Sequence, residues 1–306
     1  LAFGLHSPIT EHGNTFMTQD VAQGRPEGDP PRGRPEVDLG EPIASTEADT
    51  SDVLCDASTN VLNEQLGLQS EAQWSCADGQ RRLIANGVPN HQTGEQFVGE
   101  RNPITTHEVN VAMPLNPVAR TGAGQRMEAL GQSSFDIGED ANHAHEQRGG
   151  IYHYHGITEG MLSEQNLAGE SMQLVGWAVD GFPLYARYGY SDLESSTSPL
   201  QAMEPSYQLK ATPDPDRPSV DLLPMGTFSQ DYEYVEDSGD LDECNGRFAV
   251  TPEFPQGIYH YYATDTYPFV QRCVKGTPDS SARPAPPPSG RPPQGNVPAN
   301  SSEAAE

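Results

Sequence analysis

Short apolar runs separated by turn residues dominate the middle of the chain. From about Val53 to Lys275, runs rich in Tyr, Val, Ile and Phe are interrupted about every ten residues by Gly, Pro, Asn or Asp. Examples are RRLIANGVPN, HEVNVAMPLNP, VGWAVDGFPLYARYGY, RFAVTPEF and GIYHYYATDTYPF. This rhythm is typical of mainly β proteins, and it predicts a single antiparallel β-sandwich-like domain over residues 53–276. The clearest helix candidate lies near Asn60 to Cys76.

The two ends of the chain have a different composition. Residues 1–52 are rich in Gly, Pro and acidic residues, and residues 277–306 are rich in Pro. Neither composition forms a core of its own, so we predict extended N- and C-terminal arms. The first five residues differ, because Leu1, Phe3 and Leu5 alternate with smaller residues, as in a strand with one apolar face. Such a strand needs a sheet to join.

Charge and leader signals bear on partners and location. The net charge is -27, and Lys210 and Lys275 are the two lysines. A strongly acidic surface disfavours nucleic acid and anionic membranes as partners. No apolar run approaches the roughly 20 residues that a membrane span needs. The chain starts at Leu1 without a basic-then-apolar leader, as a processed, secreted protein would.

Four cysteines indicate an oxidising, extracellular location. Sequence alone allows three pairings, and we expect the near-neighbour pairs Cys55–Cys76 and Cys244–Cys273. Each pair would close a loop of a few tens of residues and stabilise the fold by roughly 3 kcal/mol. No C-x-x-C pair occurs, which argues against a cysteine zinc site or thiol redox chemistry.

The motif Gly-Ile-Tyr-His-Tyr occurs twice, at residues 150–154 (the first copy) and 257–261 (the second copy). Side chains two apart in a strand share a face at a spacing of about 6.7 Å, so His153 and His155 can converge on one metal ion. If the two copies pair as strands, three to five imidazoles cluster. Neutral imidazole suits a transition metal such as Cu or Zn. The candidate ligands are His153, His155, His260, His143 and His145.

Other interpretations of these motifs stay open. Tyr and His also stabilise sheets as cross-strand aromatic pairs without any ligand. The acidic run DYEYVEDSGDLDECNG suits calcium by its oxygen ligands, but its spacing is not that of an EF-hand, and a solvated loop is the favoured interpretation. Asp180-Gly181 predicts a turn, and Asp180 is also a candidate metal ligand. Asn300 begins an N-glycosylation acceptor pattern, which makes covalent glycans candidate partners.

Six blocks in order resemble the YHYH-domain family of secreted and surface proteins. They are ANGVPNHQTGEQF with RNPI, HAHEQRGGIYHYHG, GWAVDGFPLYARYG, LDECNGRF, and GIYHYYATDTYPFVQRCVKG, and together they cover most of residues 84–276. The matching positions include the first YHYH, the Asp-Gly-Phe-Pro turn, the LDECNG block and the second YHYH-like strand. Tyr262 departs from the pattern, because family members often repeat His there. The resemblance implies a domain and a compartment but no reaction.

Two functions follow from these observations. The favoured one is an extracellular structural protein, in which a terminal arm adds a strand to a neighbouring copy and builds a head-to-tail filament. A structural metal at the YHYH histidines is compatible with it. The alternative is a secreted metal-dependent enzyme or metal-binding protein that uses the histidine cluster. The sequence carries no G-x-S-x-G, H-E-x-x-H or phosphate-loop motif, so neither a catalytic residue nor a nucleotide cofactor is predicted.

Overall fold

A computed structural model describes most of the central part of the chain. The described ranges are 48–94, 103–119, 140–147, 150–164, 170–215 and 217–279, with only the backbone of residues 125, 126 and 147. Leu1, Phe3, Leu5 and Asn300 lie outside these ranges. The assembly arm and the glycosylation site therefore stay predictions, as do the domain boundaries.

The described residues form sixteen strands and one short α-helix, α1 (Glu159–Glu164). A 3-10 turn covers Ser229–Asp231. The strands are β1 (Ser58–Asn63), β2 (Leu68–Ala77), β3 (Gln80–Ala85), β4 (Val109–Pro114), β5 (Gln125–Arg126), β6 (Ala144–Gln147), β7 (Ile151–Tyr154), β8 (Gln173–Trp177), β9 (Pro183–Ala186), β10 (Tyr188–Tyr190), β11 (Leu200–Ala202), β12 (Tyr207–Leu209), β13 (Tyr232–Tyr234), β14 (Gly246–Ala249), β15 (Ile258–Ala263) and β16 (Cys273–Val274).

Two four-stranded sheets organise the domain. The first is an antiparallel meander in the order β1-β2-β3-β4, and the second has the order β14-β15-β9-β8. The other described strands form two-stranded pairs: β6-β7, β10-β11, β12-β13 and β5-β16. Every described pairing is antiparallel except β9 with β15. The prediction of a mainly β, antiparallel fold is confirmed.

The helix expected near Asn60 to Cys76 is wrong, because this segment is the β1-β2 hairpin. Its turn contains Gly67 at φ +66, in the left-handed region that glycine favours. Ser70 and Trp74 are buried along β2 while their neighbours are exposed or half-buried, which is the period-2 pattern of a strand. The many polar residues of the segment obscured that pattern in the sequence.

Among the described residues, the second sheet holds five of the eleven largest fully buried side chains, which are Trp177, Leu184, Tyr185, Tyr261 and Tyr262. β15 lies between β14 and β9, and all six of its residues are buried. A central strand covered on both faces excludes solvent from both sets of alternating side chains. The second copy of the motif therefore lies in the core, whereas the first copy lies in the two-stranded β6-β7 hairpin.

The Asp180-Gly181 turn joins β8 to β9, as the sequence predicted. The amide of Ala178 donates to the carbonyl of Phe182 at 2.8 Å, and Gly181 has φ +91. A Cβ at Gly181 would lie 2.2 Å from the carbonyl oxygen of Pro114 at the end of β4, so this turn fits tightly against the first sheet. The carboxylate of Asp180 accepts from Tyr261 Oη at 2.7 Å and from the amide of Gly276 at 2.9 Å. Asp180 therefore links the β8-β9 turn to β15 and to the segment after β16.

Both expected disulfides form. Cys55 pairs with Cys76 and Cys244 with Cys273, with Cα–Cα distances of 5.3 and 4.7 Å. The first bond fastens the segment before β1 to the end of β2, and the second joins the LDECNG block to β16. Within the described part of the chain, no helix combines the length and apolar character that a membrane crossing requires.

Candidate metal centre

The β6-β7 hairpin brings three histidines to one of its faces. His145 of β6 lies directly opposite His153 of β7, and His155 follows His153 by two residues on the same side. Gly150 directly precedes β7 at φ +76, and a Cβ there would lie 2.3 Å from the carbonyl oxygen of Pro103. A glycine is therefore needed at this position, directly before the strand that carries His153.

The three imidazoles point their Nε2 atoms toward a common point. Nε2 of His155 lies 3.0 Å from Nε2 of His153 and 3.3 Å from Nε2 of His145. The rings meet edge to face, with centroids 4.6–4.8 Å apart. Zn–N bonds of about 2.0–2.1 Å in tetrahedral geometry separate ligand nitrogens by about 3.3 Å. The observed separations are thus close to those of three ligands on one ion.

Hydrogen bonds among the three rings do not by themselves explain why their Nε2 atoms converge. One proton on Nε2 of His155 can be donated in good geometry to only one of its two neighbours, whereas a metal ion accepts all three lone pairs. Nδ1 of His153 faces the carbonyl oxygen of Ile151 at 3.4 Å, which favours the tautomer with the proton on Nδ1. That tautomer leaves the lone pair of Nε2 directed at the cluster.

Burial keeps His153 in the neutral form that binds metals. Its side chain is almost wholly buried, and desolvation lowers its pKa to about 3, with a further contribution from the neighbouring His155 and His145. His145 and His155 are half-buried. The cluster therefore has a closed inner side at His153 and a side accessible to solvent.

The two tyrosines of the first copy anchor the opposite face of β7. Tyr152 Oη donates to the carboxylate of Asp140, which also accepts from the amides of Gly94 at 2.8 Å and Asn142 at 2.7 Å. Tyr154 Oη lies 2.6 Å from Nε2 of His91. Both rings are buried, so this face fixes the strand and, through it, the histidines on the other side.

Sequence reasoning missed His91, Asp140 and Asn142 as positioning residues. Nδ1 of His91 lies 2.8 Å from the carbonyl oxygen of Gln92, so its Nε2 is available to accept from Tyr154. Burial lowers the pKa of His91 and keeps it neutral. The sequence did mark His91, which lies in the ANGVPNHQTGEQF block of the family resemblance. Its partner Tyr154 is distant in sequence, so the contact could not be predicted.

The second copy does not join the cluster. β7 pairs with β6, while β15 pairs with β14 and β9, so the two copies do not pair with each other and the condition for clustering His260 with the first copy is not met. His260 is fully buried in the second sheet. Its Nδ1 lies 2.8 Å from the carbonyl oxygen of Ile258, and its Nε2 lies 2.9 Å from Tyr262 Oη. Burial lowers the pKa of His260 to about 3.

His143 also lies outside the three converging nitrogens. It occupies a turn position at φ +50, and its side chain is exposed. Its carbonyl oxygen accepts from the amide of His155 at 2.7 Å. His143 therefore supports the cluster through its backbone rather than as a ligand, so three of the five predicted histidines are brought together.

The acidic run considered for calcium does not converge on one point. Within the described residues, the group of three or more metal-ligating side chains is His145, His153 and His155. Asp231 pairs with Arg217 at 2.8 Å, Asp240 accepts from the amide of Glu204 at 3.0 Å, and Asp242 accepts from Tyr259 at 2.9 Å. These carboxylates stabilise separate loops.

Comparison with known proteins gives one match. A family model described as YHYH protein matches residues 74–276, about two thirds of the chain. The matched range contains all three clustered histidines and both strands that carry the repeated motif. No curated protein and no solved structure matches the chain.

Proposed function

The chain belongs to the YHYH protein family, and we propose that it is an extracellular protein that binds a metal ion through His145, His153 and His155. The observation that supports this most directly is the convergence of three Nε2 atoms, two of them 3.0 and 3.3 Å from the third. Three imidazole ligands suit zinc or copper. The two disulfides fit an oxidising compartment.

The second copy supports this proposal by contrast. There, a tyrosine hydroxyl faces the histidine in place of a second imidazole, and His260 has a protein partner at each nitrogen. A hydroxyl donates to Nε2, whereas an imidazole in the same position offers a second lone pair. The first copy thus has the donor set of a metal site, and the second has that of a structural hydrogen bond.

Metal analysis of the purified full chain tests the proposal. After metal removal and reloading with Zn²⁺ or Cu²⁺, we expect about one ion per chain by elemental analysis. His155→Tyr imitates the second copy and should abolish stoichiometric binding while the fold is kept. His143→Gln is the matched control, because this exposed histidine lies two residues from His145 and outside the cluster. Absence of binding by the unaltered chain, or full binding by His155→Tyr, would refute the metal centre.

A second proposal, self-assembly into a filament, rests on the apolar alternation of Leu1, Phe3 and Leu5. One described feature favours it. β1 is the first strand of its sheet and pairs within the described residues only with β2, which leaves an edge that can accept an added strand. In this proposal the arm of one copy adds to a sheet edge of the next. The metal centre and the filament are compatible.

A further inference from the structure

A partly open cavity of about 130 Å³ lies beside the β6-β7 hairpin. Tyr152 and Glu146 lie opposite each other in the register of the hairpin, and both line the cavity. Side chains alternate between the two faces of a strand, so Glu146 is directed away from His145 and the other clustered imidazoles. The cavity therefore opens beside the tyrosine face, and His145 of the candidate metal centre also contributes to its lining.

Glu146 is the unusual group in this cavity. The residue is 7 % exposed, and its Oε1 atom is buried without a hydrogen-bond partner among the described residues. Burying a carboxylate without a partner is costly, because water no longer solvates the charge. A bound cation would remove that cost.

The other polar groups of the cavity are already engaged. The side-chain amide of Gln65 donates to the carbonyl of Thr93 at 2.7 Å and accepts from its amide at 2.9 Å. Asp140 accepts from two backbone amides and from the hydroxyl of Tyr152. A hard ion such as calcium needs about six or more oxygen ligands. A ligand that needs a single carboxylate as its partner fits this cavity better than calcium does.

The remaining walls favour an organic cation. Leu66, Ile104, Ala144 and the ring of Tyr152 also line the cavity, so an aliphatic stem would bury apolar surface and an ammonium group would lie near an aromatic ring. A cavity of about 150 Å³ accommodates benzene, so this one suits a ligand of about five or six non-hydrogen atoms.

We propose that this cavity binds the primary ammonium group of a small aliphatic amine, with the carboxylate of Glu146 as its counter-ion. The counter-ion is Glu146 and not His145, so chelator-treated, metal-free protein should bind the amine.

Calorimetric titration of the metal-free full chain with n-butylammonium chloride tests the site at low ionic strength. We expect saturable one-to-one binding at least about tenfold tighter than that of 1-butanol, because the two ligands have the same size and differ in charge. Glu146→Gln should weaken n-butylammonium binding at least about tenfold and leave 1-butanol binding unchanged. Glu71→Gln, an exposed position on β2, is the matched control and should bind like the unaltered chain.

Several outcomes would overturn the proposal. They are no saturation by n-butylammonium, equal affinity for 1-butanol, unchanged affinity in Glu146→Gln, or Glu146-dependent binding of Ca²⁺ that displaces the amine. Should Glu146→Gln not fold, nuclear Overhauser contacts between the butyl protons and the ring of Tyr152 in the unaltered chain decide the question. Their presence supports the site and their absence at saturation rejects it.

Discussion

The hydroxyl of Tyr262 lies 2.9 Å from Nε2 of His260. The first copy places Nε2 of His155 at almost the same distance from Nε2 of His153, 3.0 Å. Each pair is separated by two residues, and in each the histidine Nδ1 faces the carbonyl oxygen two residues before it. The second copy has Tyr262 where the first has His155. With tyrosine at this position the histidine is hydrogen-bonded, whereas with histidine there the two rings can bind a metal ion together.

Removing the hydroxyl of Tyr262 should destabilise the core. Tyr262→Phe leaves the buried Nε2 of His260 without its donor, which costs about 1–3 kcal/mol of unfolding free energy. Chemical denaturation followed by fluorescence measures this loss. Tyr234→Phe, on the half-buried strand β13, is the control and should change stability by less than about 0.5 kcal/mol. Equal effects of the two substitutions would contradict the role given to Tyr262.

His260 should make the fold sensitive to acid. Its pKa is about 3 in the folded protein, where burial disfavours the charged ring, against about 6.5 in the unfolded chain. Between these values the unfolded state binds more protons, so stability is fully present above pH 6.5 and falls as the pH falls, by about 1.4 kcal/mol per unit.

The contribution of His260 is measured by comparing the pH dependence of unfolding free energy between the unaltered chain and its variants. Burial raises the pKa of Asp180 and Glu253, and acids of this kind make the protein less stable as the pH rises. The slope of unfolding free energy against pH therefore combines contributions of both signs. His260→Gln should reduce the loss of stability between pH 6.5 and 4 relative to the unaltered chain. His143→Gln should not, and identical profiles for all three proteins would exclude the effect.

Metal binding should stabilise the protein and weaken on acidification. A ligand at 100 times its dissociation constant adds about 2.7 kcal/mol to the unfolding free energy. Protons compete for the imidazole lone pairs, so the melting shift on adding Zn²⁺ should shrink as the pH is lowered. His145→Gln should abolish the shift, whereas His260→Gln should keep it, because His260 lies outside the cluster. A shift that persists in His145→Gln would place the ion elsewhere.

Gly150→Ala should disturb both the hairpin and metal affinity. The residue has φ +76, and its Cβ would lie 2.3 Å from a backbone oxygen, so strain and displacement act together. We expect a loss of more than about 2 kcal/mol in unfolding free energy and weaker Zn²⁺ binding. Gly67→Ala is the control, because φ is +66 there but no atom lies within 4 Å. It should cost only about 1 kcal/mol and leave Zn²⁺ affinity unchanged.

The filament proposal has a direct test at the N-terminus. Deleting residues 1–5 removes the apolar strand and should leave a folded protein that no longer assembles, as seen by circular dichroism and electron microscopy. Deleting residues 302–306 is the control and should leave assembly unchanged. Filaments of normal length from the protein without residues 1–5 would reject the arm.

Local sequence was sufficient for the features that depend on near neighbours. The alternation in Ile-Tyr-His-Tyr-His places His153 and His155 on one face, because side chains two apart in a strand share a side. Asp180-Gly181 predicted the turn between β8 and β9, and near-neighbour spacing predicted both disulfides. Each of these depends on fewer than about 30 residues of chain. The helix expected near Asn60 to Cys76 shows the limit, since its strand pattern became visible only through the buried side of β2.

Tertiary structure decided which histidines meet. The two copies of the motif have nearly the same sequence, yet β7 forms a hairpin with the neighbouring β6, whereas β15 became a central strand because it pairs with β14 and with the distant β9. Burial followed from that placement: His260 is enclosed with Tyr262, while the buried His153 meets the half-buried His145 and His155. The local pattern determined which side chains share a face, and the strand pairing of each copy determined what that face contacts.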